Sequence, residues 1–384
     1  MTAQRLPVGS HGADSTGRAG GPVAESEWSR AVKKIDGAAE VCLACHVQPD
    51  GDALGSMLAM AHALRARGLG RRPRDGGERR PQRVRVVASF AGQPFEVPRI
   101  LRFLPAAGLL SPPEEFPQRP QVMLTFDAAS PDRLGTLQAN AARAEELIVL
   151  DHHASNTGFG TVNLVDPAAA ATAVLAADLI DRLGVAFTRD IGLGLYAGLA
   201  SDTGSFRFPA TSPEVHRLAA RLLQTGVEPE AVAHELWDRN PFPFLGLLSA
   251  ALGRARLEPD GATGHGLVWT TVTRSDRAAH GLALDAAESV IDLVRRTDEA
   301  DVAVVLKEDD DGQWHVSARS KGTTDVGRAC TALGGGGHRL AAGFTGSGTA
   351  ADVMDALRRQ FGTAPGGSPA GPAGTPPAPA DGGR

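Results

Sequence analysis

Three short apolar runs, each ending in a cluster of aspartate or histidine, constrain the fold of this chain more than any other feature. The runs predict strands at 40–47, 121–126 and 146–150, and the clusters at their ends are His46 with Asp50 and Asp52, then Asp127, then Asp151-His152-His153. Segments with helical patterns separate these strands. Alternation of strand and helix predicts an α/β fold with a mostly parallel sheet flanked by helices.

The clusters predict a metal centre at one edge of that sheet. The carboxyl ends of parallel strands lie along the same edge, where open α/β sheets bind their ligands. A fourth cluster begins at Asp202, after a predicted helix at 190–200, and further helices are predicted at 53–67 and 131–143. Gly55 lies where the helix at 53–67 would start, so backbone amides there are expected to face a phosphate. Crowded carboxylates repel one another unless a cation neutralises them. Mixed carboxylate and imidazole ligands favour Mn²⁺, with Mg²⁺ or Co²⁺ as alternatives, and two such ions are typical of phosphoester hydrolysis.

The cysteines do not support a disulfide framework or a haem site. The chain has three cysteines, and the segment from Cys42 to His46 spells the C-x-x-C-H pattern of haem attachment. That chemistry needs export, and the N-terminus lacks the apolar segment of a secretory signal. We therefore interpret Cys42 and Cys45 as residues of a buried strand. With no apolar run long enough to cross a bilayer, we expect a cytoplasmic protein that does not contact membranes.

Composition along the chain predicts two folded domains with irregular ends. The net charge of −5 argues against a strongly basic nucleic-acid coat but not against a small nucleotide substrate. A Gly/Arg/Pro stretch at 68–83 is expected to be a solvated loop. The predicted boundaries are a disordered N-terminus at 1–24, a metal-binding domain at 25–240, a linker and helix at 241–256, a smaller α/β domain at 257–360 and a disordered Pro/Gly/Ala tail at 361–384.

Taken in order, the motifs resemble those of the DHH phosphoesterase superfamily. The clusters around His46, Asp127, Asp151 and Asp202 match its metal motifs, and the run from Gly334 to Phe344 resembles the glycine-rich signature of the associated DHHA1 domain. Ser317-Ala318-Arg319-Ser320 resembles the arginine strand of that domain. The resemblance covers roughly residues 40 to 345, and the nearest branch is the NrnA-like group of nanoRNases and 3′-phosphoadenosine-5′-phosphate (pAp) phosphatases.

The resemblance implies a role for each matching residue. The implied metal ligands are His46, Asp50, Asp52, Asp127, His152 and Asp202, with Asp127 bridging the two ions. His153 would contact the scissile phosphate or assist proton transfer rather than bind metal, and Asp151 would orient the histidines. Arg319 would bind a phosphate with its guanidinium group. The remaining implied substrate-binding residues are Ser320, Gly335, Gly336, Gly337 and His338. The small residues that follow, Ala341-Ala342-Gly343, are expected to start a helix.

The function that the resemblance implies is hydrolysis of short RNA or dinucleotides across a cleft between the two domains. The candidate substrates are short oligoribonucleotides, pApA, cyclic-di-AMP and pAp, and a homodimer is a further expectation. A RecJ-like exonuclease and a family II pyrophosphatase are the enzymatic alternatives. The non-enzymatic alternative is a nucleotide-binding regulator.

Overall fold

The computed structural model describes residues 22–67 and 84–362, which divide into two compact units between Leu236 and Trp237. Three predictions fall wholly or mainly outside the described residues: the disordered N-terminus at 1–24, the Gly/Arg stretch at 68–83 and the tail at 361–384.

The first unit is an α/β domain with one five-stranded sheet. Its helices are α1 (Glu25–Asp36), α2 (Gly51–Arg67), the one-turn α3 (Gln138–Ala141), α4 (Thr172–Arg182), α5 (Arg189–Asp202), α6 (Pro213–Leu223) and α7 (Pro229–Trp237). Its strands are β1 (Glu40–Cys45), β2 (Arg85–Phe90), β3 (Val122–Phe126), β4 (Glu146–Asp151) and β5 (Val162–Val165). The strand order is β2-β1-β3-β4-β5 and every neighbouring pair is parallel. The predicted parallel sheet is therefore confirmed.

Glycines allow α2 and α5 to cross in direct backbone contact. A Cβ atom added at Gly55 would lie 2.3 Å from the carbonyl oxygen of Gly194, and one added at Gly194 would lie 2.5 Å from that of Gly55. One turn along α5, a Cβ at Gly198 would lie 2.7 Å from Oδ1 of Asp52. We expected Gly55 to expose backbone amides to a phosphate, and this is wrong because the residue is buried in the helix crossing.

The predicted helix at 131–143 is largely absent. The segment instead forms a 3₁₀ helix over Pro131–Leu137, followed by α3. Gly135 has a φ of 55° and a ψ of −130°, which no α-helical turn can accommodate. A side chain at this glycine would also collide with Val47, since its Cβ would lie 2.6 Å from a Val47 methyl carbon. The loop after β3 is therefore fitted tightly against the segment after β1.

The second unit has a mixed six-stranded sheet, which confirms the predicted smaller C-terminal α/β domain. Its elements are α8 (Phe244–Gly253), β6 (Arg256–Glu258), the one-turn α9 (Gly261–Gly264), β7 (Leu267–Val272), α10 (Arg274–His280), α11 (Val290–Val294), β8 (Val302–Glu308), β9 (Trp314–Ser320), α12 (Val326–Thr331), β10 (Gly336–His338), β11 (Ala341–Gly346) and α13 (Ala350–Phe361). The order is β10-β11-β9-β8-β7-β6, in which only β7 and β8 are parallel.

One prediction in this unit fails. The small residues Ala341-Ala342-Gly343 were expected to start a helix, but they begin β11 and pair with β9 on one side and β10 on the other. Strand propensity is a weak guide here. Alanine and glycine are generally depleted in strands, but they occur in strands where a neighbouring backbone approaches closely. Such an approach exists at Gly343, where a Cβ atom would lie 2.6 Å from the carbonyl oxygen of Val316.

Candidate metal centre

The predicted site residues of the first unit meet at the carboxyl edge of its sheet. His46 directly follows β1, Asp127 directly follows β3, and Asp151 is the last residue of β4. Since these three strands are neighbours and parallel, their carboxyl ends lie side by side. Asp202, the last residue of α5, completes the set. The topology of the sheet therefore brings residues that are far apart in the sequence into a single cluster.

Asp127 lies at the middle of this cluster. Its Oδ2 is 3.5 Å from Nε2 of His46, and its Oδ1 is 3.5 Å from Nε2 of His152. The backbone of Asp127 adopts a left-handed φ of 57°, an uncommon conformation for which aspartate and asparagine are enriched. Burial alone would raise the pKa of Asp127, but the hydrogen bond with His46 and the charges of the other two histidines hold it well below its usual range.

The first group of potential ligands contains His46, Asp50 and Asp127, whose candidate donor atoms lie within 4.8 Å of one another. Nδ1 of His46 is hydrogen-bonded to the carbonyl oxygen of Val47 at 2.7 Å, which turns Nε2 toward the carboxylates. Asp50 has a divided role. Its Oδ1 accepts hydrogen bonds from two backbone amides at the start of α2, and its Oδ2 lies 3.9 Å from Nε2 of His46.

The second group contains Asp52, His152 and Asp202, again with donor atoms within 4.8 Å of one another. Nε2 of His152 lies 3.0 Å from Oδ2 of Asp202 and 3.9 Å from Oδ2 of Asp52. Nδ1 of His152 contacts the carbonyl oxygen of Ala169 at 3.1 Å, so the ring presents Nε2 to the carboxylates. Both histidines thus use one nitrogen for a backbone carbonyl, an arrangement common in metal sites.

Thr172 and Ser56 belong to this centre, and sequence reasoning missed both. The main-chain amides of Thr172 and Ala173 donate to the two oxygens of Asp52, at 2.6 and 2.8 Å. The Ser56 hydroxyl donates to Oδ1 of Asp52 at 3.0 Å, and the Thr172 hydroxyl donates to Oδ1 of Asp127 at 2.9 Å. A serine four residues after Asp52 on the same helix was a usable signal. Nothing in the sequence around Thr172 indicates its contacts.

Asp151 and His153 form a separate pair beside the two groups. Oδ1 of Asp151 lies 2.7 Å from Nδ1 of His153, and Oδ2 accepts a hydrogen bond of 2.6 Å from the side-chain amide of Asn156. Asp151 is fully buried, and both of its oxygens are occupied in this way. Nδ1 of His153 also lies 3.6 Å from Oδ1 of Asp127. Asn156 is a third residue that sequence reasoning missed.

Electrostatics in the centre show groups that hold protons when no cation is bound. Burial opposes a charged His46, but the hydrogen bond with Asp127 and the charge of Asp50 outweigh it and raise its pKa to about 9. Burial raises the pKa of Asp202 to about 6 against the opposing hydrogen bond of a histidine. Burial and the charges of Asp202 and Asp127 raise the pKa of Asp52 well above its ordinary value. A bound divalent cation would displace such protons.

The donor set fits two divalent cations. Asp127 offers one oxygen to each group, so the groups share a carboxylate placed to bridge. The donors are carboxylates and imidazoles, and no cysteine is among the candidate ligand groups of the described residues. Hard oxygen donors combined with imidazole suit Mn²⁺ and related ions rather than a structural zinc site.

The predicted substrate-binding residues of the second unit lie on its sheet. Arg319 is half-buried on β9, where it pairs with Ala303 and Ala341. Ser320 is 4% exposed, and its hydroxyl donates to Asp301 at 3.1 Å. A substrate would reach this hydroxyl only by exchanging the bond with Asp301.

The glycine run of the second unit is shaped by strand pairing. Gly336, Gly337 and His338 form the edge strand β10. A Cβ atom at Gly335 would lie 2.1 Å from the carbonyl oxygen of Gly343, and one at Gly337 would lie 2.5 Å from that of Ala341. These two glycines are therefore required by the close approach of β11, independently of any ligand.

Comparisons with known proteins agree with this arrangement. The model of the DHH family, N-terminal domain, matches residues 40–199, and the model of the DHHA1 domain matches residues 272–362. A bifunctional oligoribonuclease and PAP phosphatase NrnA from Thermus thermophilus is 33% identical over 335 residues, which cover 86% of this chain and 92% of the relative. A probable bifunctional oligoribonuclease and PAP phosphatase NrnA from Streptococcus mutans is 26% identical over 51% of this chain and 61% of that protein.

Among solved structures, an exopolyphosphatase-related protein from Bacteroides fragilis has a TM-score of 0.74 at 20% identity, covering 88% of this chain and 96% of that one. This likeness shows a shared fold. Within residues 22–67 and 84–362, no helix is long and apolar enough to cross a membrane. The resemblance found in the sequence is confirmed, and the chain belongs to the DHH family, among the members that also carry the DHHA1 domain.

Proposed function

We propose that this protein is a two-metal phosphoesterase that hydrolyses short oligoribonucleotides and dinucleotides to mononucleotides, and pAp to AMP. One observation carries the proposal: the carboxylate of Asp127 directs one oxygen to each of two groups of metal-ligating side chains. Among dinucleotides, pApA is the first candidate and cyclic-di-AMP the second. The names of the relatives from Thermus thermophilus and Streptococcus mutans support the RNA and pAp substrates.

The ligand assignment follows the two groups. His46, Asp50 and Asp127 would hold one ion, and Asp52, Asp127, His152 and Asp202 would hold the other. Mn²⁺ is the proposed ion, because this mixture of imidazoles and carboxylates suits it and is less typical of the all-oxygen sites that Mg²⁺ prefers. Bound divalent cations would supply a hydroxide near neutral pH and neutralise charge on the phosphoryl oxygens.

The remaining residues of the proposed site act on the substrate. His153 lies beside Asp127, and its Nδ1 is held by Asp151, so its Nε2 is the atom proposed to contact the scissile phosphate. Asp151 is fixed in turn by Asn156. Arg319 is proposed to bind a substrate phosphate, because a guanidinium donates paired hydrogen bonds to phosphate oxygens. Gly335, Gly336, Gly337 and His338 remain predicted substrate contacts, as does Ser320. A cytoplasmic location and a homodimer belong to the same proposal.

The test is the release of mononucleotide from 5′-pApA by the purified chain with Mn²⁺ after removal of metal by a chelator. Parallel reactions contain pAp, cyclic-di-AMP and pyrophosphate. We expect hydrolysis of pApA and pAp that needs the added metal and leaves pyrophosphate intact. Rapid cleavage of pyrophosphate alone would favour the pyrophosphatase alternative, and processive degradation of long single-stranded DNA would favour the RecJ-like one. Nucleotide binding without turnover would favour a regulator.

A further inference from the structure

Thr172 connects two carboxylates of the proposed metal centre that come from different parts of the fold. It is the first residue of α4 and is fully buried. Its main-chain amide donates to Oδ2 of Asp52 on α2, and its hydroxyl donates to Oδ1 of Asp127 after β3. A single residue thereby sets the distance between a carboxylate proposed to bind one ion and the carboxylate proposed to bridge both.

The amide contacts explain how Asp52 tolerates burial. The first backbone amides of a helix have no partner within the helix and carry partial positive charge. At α4 the residue before the helix is Ala171, whose side chain cannot accept a hydrogen bond. Asp52 takes that place from another helix by accepting from the amides of Thr172 and Ala173. These bonds do not involve the Thr172 side chain, so they remain available in any variant that keeps the backbone N–H at this position.

The hydroxyl contact is specific to the Thr172 side chain. A carboxylate without a proton only accepts hydrogen bonds, so the hydroxyl must be the donor to Oδ1 of Asp127. The same oxygen lies 3.5 Å from Nε2 of His152. With one lone pair of Oδ1 directed to Thr172, the plane of the carboxylate is fixed, and the other lone pair is directed toward the group that contains His152.

We propose that Thr172 is a positioning residue that orients Asp127 for bridging. Its hydroxyl proton is committed to the carboxylate, so it acts through Asp127 rather than as a metal ligand. The inference rests on the proposed two-metal centre and adds to it a residue that neither the motifs nor the family resemblance identified. Hydrogen bonds of this kind to a ligand typically change metal affinity about 10- to 100-fold when removed.

The experiment compares Mn²⁺ binding by wild type, Thr172→Val, Thr172→Ser and Thr125→Val, using titration calorimetry and the Mn²⁺ electron paramagnetic resonance signal. Thr125 on β3 is the matched control, because it is also fully buried and its hydroxyl has no hydrogen-bond partner among the described residues. Thermal unfolding of each variant verifies that it folds. Thr172→Ala replaces Thr172→Val if the methyl group against Oδ1 prevents folding.

We expect two Mn²⁺ ions on wild type, and roughly 10-fold or more weaker binding of at least one ion in Thr172→Val. Thr172→Ser should bind within about threefold of wild type because it keeps the hydroxyl, and Thr125→Val should match wild type. Wild-type affinity in Thr172→Val would overturn the role of Thr172 while leaving the two-metal centre intact. Failure of wild type itself to bind two ions would overturn the centre, and the inference with it.

Discussion

The two units of this protein bury charged side chains in opposite ways. In the first, five carboxylates and three imidazoles are crowded together, and the exposed fractions of Asp52, Asp127 and His152 do not exceed 6%. In the second, each buried cation has a carboxylate partner at the surface. Lys307 is 4% exposed beside Glu288 at 57%, and Arg277 is 6% exposed beside Asp310 at 83%.

The difference shows which buried charges are neutralised within the protein and which need a bound ion. When one member of an ion pair stays in water, that member keeps its hydration and loses little free energy on folding. It also neutralises its buried partner, so the pair needs no further ion. In the first unit, Asp52, Asp127 and Asp151 are almost completely buried, and the three imidazoles cannot supply a positive charge for each of the five carboxylates in the cluster. The second unit is thus expected to be stable without ligands, whereas the first has a centre whose charge is completed by cations.

The largest effect that tests this contrast is expected for Asp127→Asn. Asparagine tolerates the left-handed backbone at this position and keeps the shape of the side chain, but it removes the negative charge and replaces one of the two oxygens with an amide group that cannot bind a cation. We expect kcat/KM for pApA to fall by more than the roughly 100-fold typical of outer-sphere changes, with loss of at least one Mn²⁺ ion. Asp178→Asn is the control, because the Asp178 side chain on α4 is partly exposed and pairs with Arg182 rather than with the cluster. Near-normal turnover and metal binding would show that the cluster is a structural ion-pair network.

In the second unit, the two members of the Lys307–Glu288 pair should differ in their cost of removal. Glu288→Ala leaves a buried ammonium with Ser317 as its remaining polar contact, and we expect the free energy of unfolding to fall by about 3 kcal/mol. Lys307→Met leaves a hydrated carboxylate and an apolar chain of similar length, so we expect a loss below about 1 kcal/mol. Urea denaturation measures both. Equal costs would contradict the view that the surface partner keeps its hydration.

Metal should stabilise the first unit, and increasingly so as pH rises. Mn²⁺ at about 100 times its dissociation constant adds about 2.7 kcal/mol to the stability of the state that binds it. The ligands must lose protons before they bind, and the pKa values of Asp202 and His46 are about 6 and about 9. Affinity therefore rises from pH 6 to pH 9 and falls as pH is lowered. Calorimetric unfolding with Mn²⁺ or a chelator at three pH values tests this, and stabilisation that grows toward low pH would contradict it.

The smallest effect is expected for Arg319→Lys. Lysine keeps the charge but loses the paired hydrogen bonds, and about 1.4 kcal/mol of lost binding corresponds to a tenfold higher KM for pApA. Mn²⁺ affinity should stay at the wild-type level, because the residue lies on the sheet of the second unit. Arg256→Lys, on the edge strand β6, is the control. A change in Mn²⁺ affinity, or an unchanged KM, would remove Arg319 from the proposed phosphate contacts.

The positions of the candidate site residues were predictable, because parallel strands place their carboxyl ends along one edge whatever the details of packing. His46, Asp127 and Asp151 follow this rule directly. The contacts that orient the ligands were not predictable. Thr172 lies 120 residues from Asp52 in the chain, and its contact depends on where α4 begins relative to α2. Local patterns in sequence carry no information about such a register between helices.

The same limit explains the two errors at glycines and small residues. Gly55 was assigned to phosphate binding, and Ala341 to the start of a helix, because both interpretations used only the neighbouring sequence. In the structure, the close approach of Gly194 requires a glycine at position 55. Ala341 lies in a strand because it pairs with Arg319 on one side and His338 on the other. A small residue indicates that another part of the chain packs closely against it, but only the tertiary structure shows which part.

The ligands of the proposed centre come from four separate parts of the chain: the segment from the end of β1 to the start of α2, the residues that follow β3 and β4, and the end of α5. No fragment emerging from the ribosome before α5 is complete contains the whole set. The proposed ion that needs Asp202 would therefore bind only after α5 has been synthesised, whereas the proposed ligands of the other ion all precede α5 in the chain.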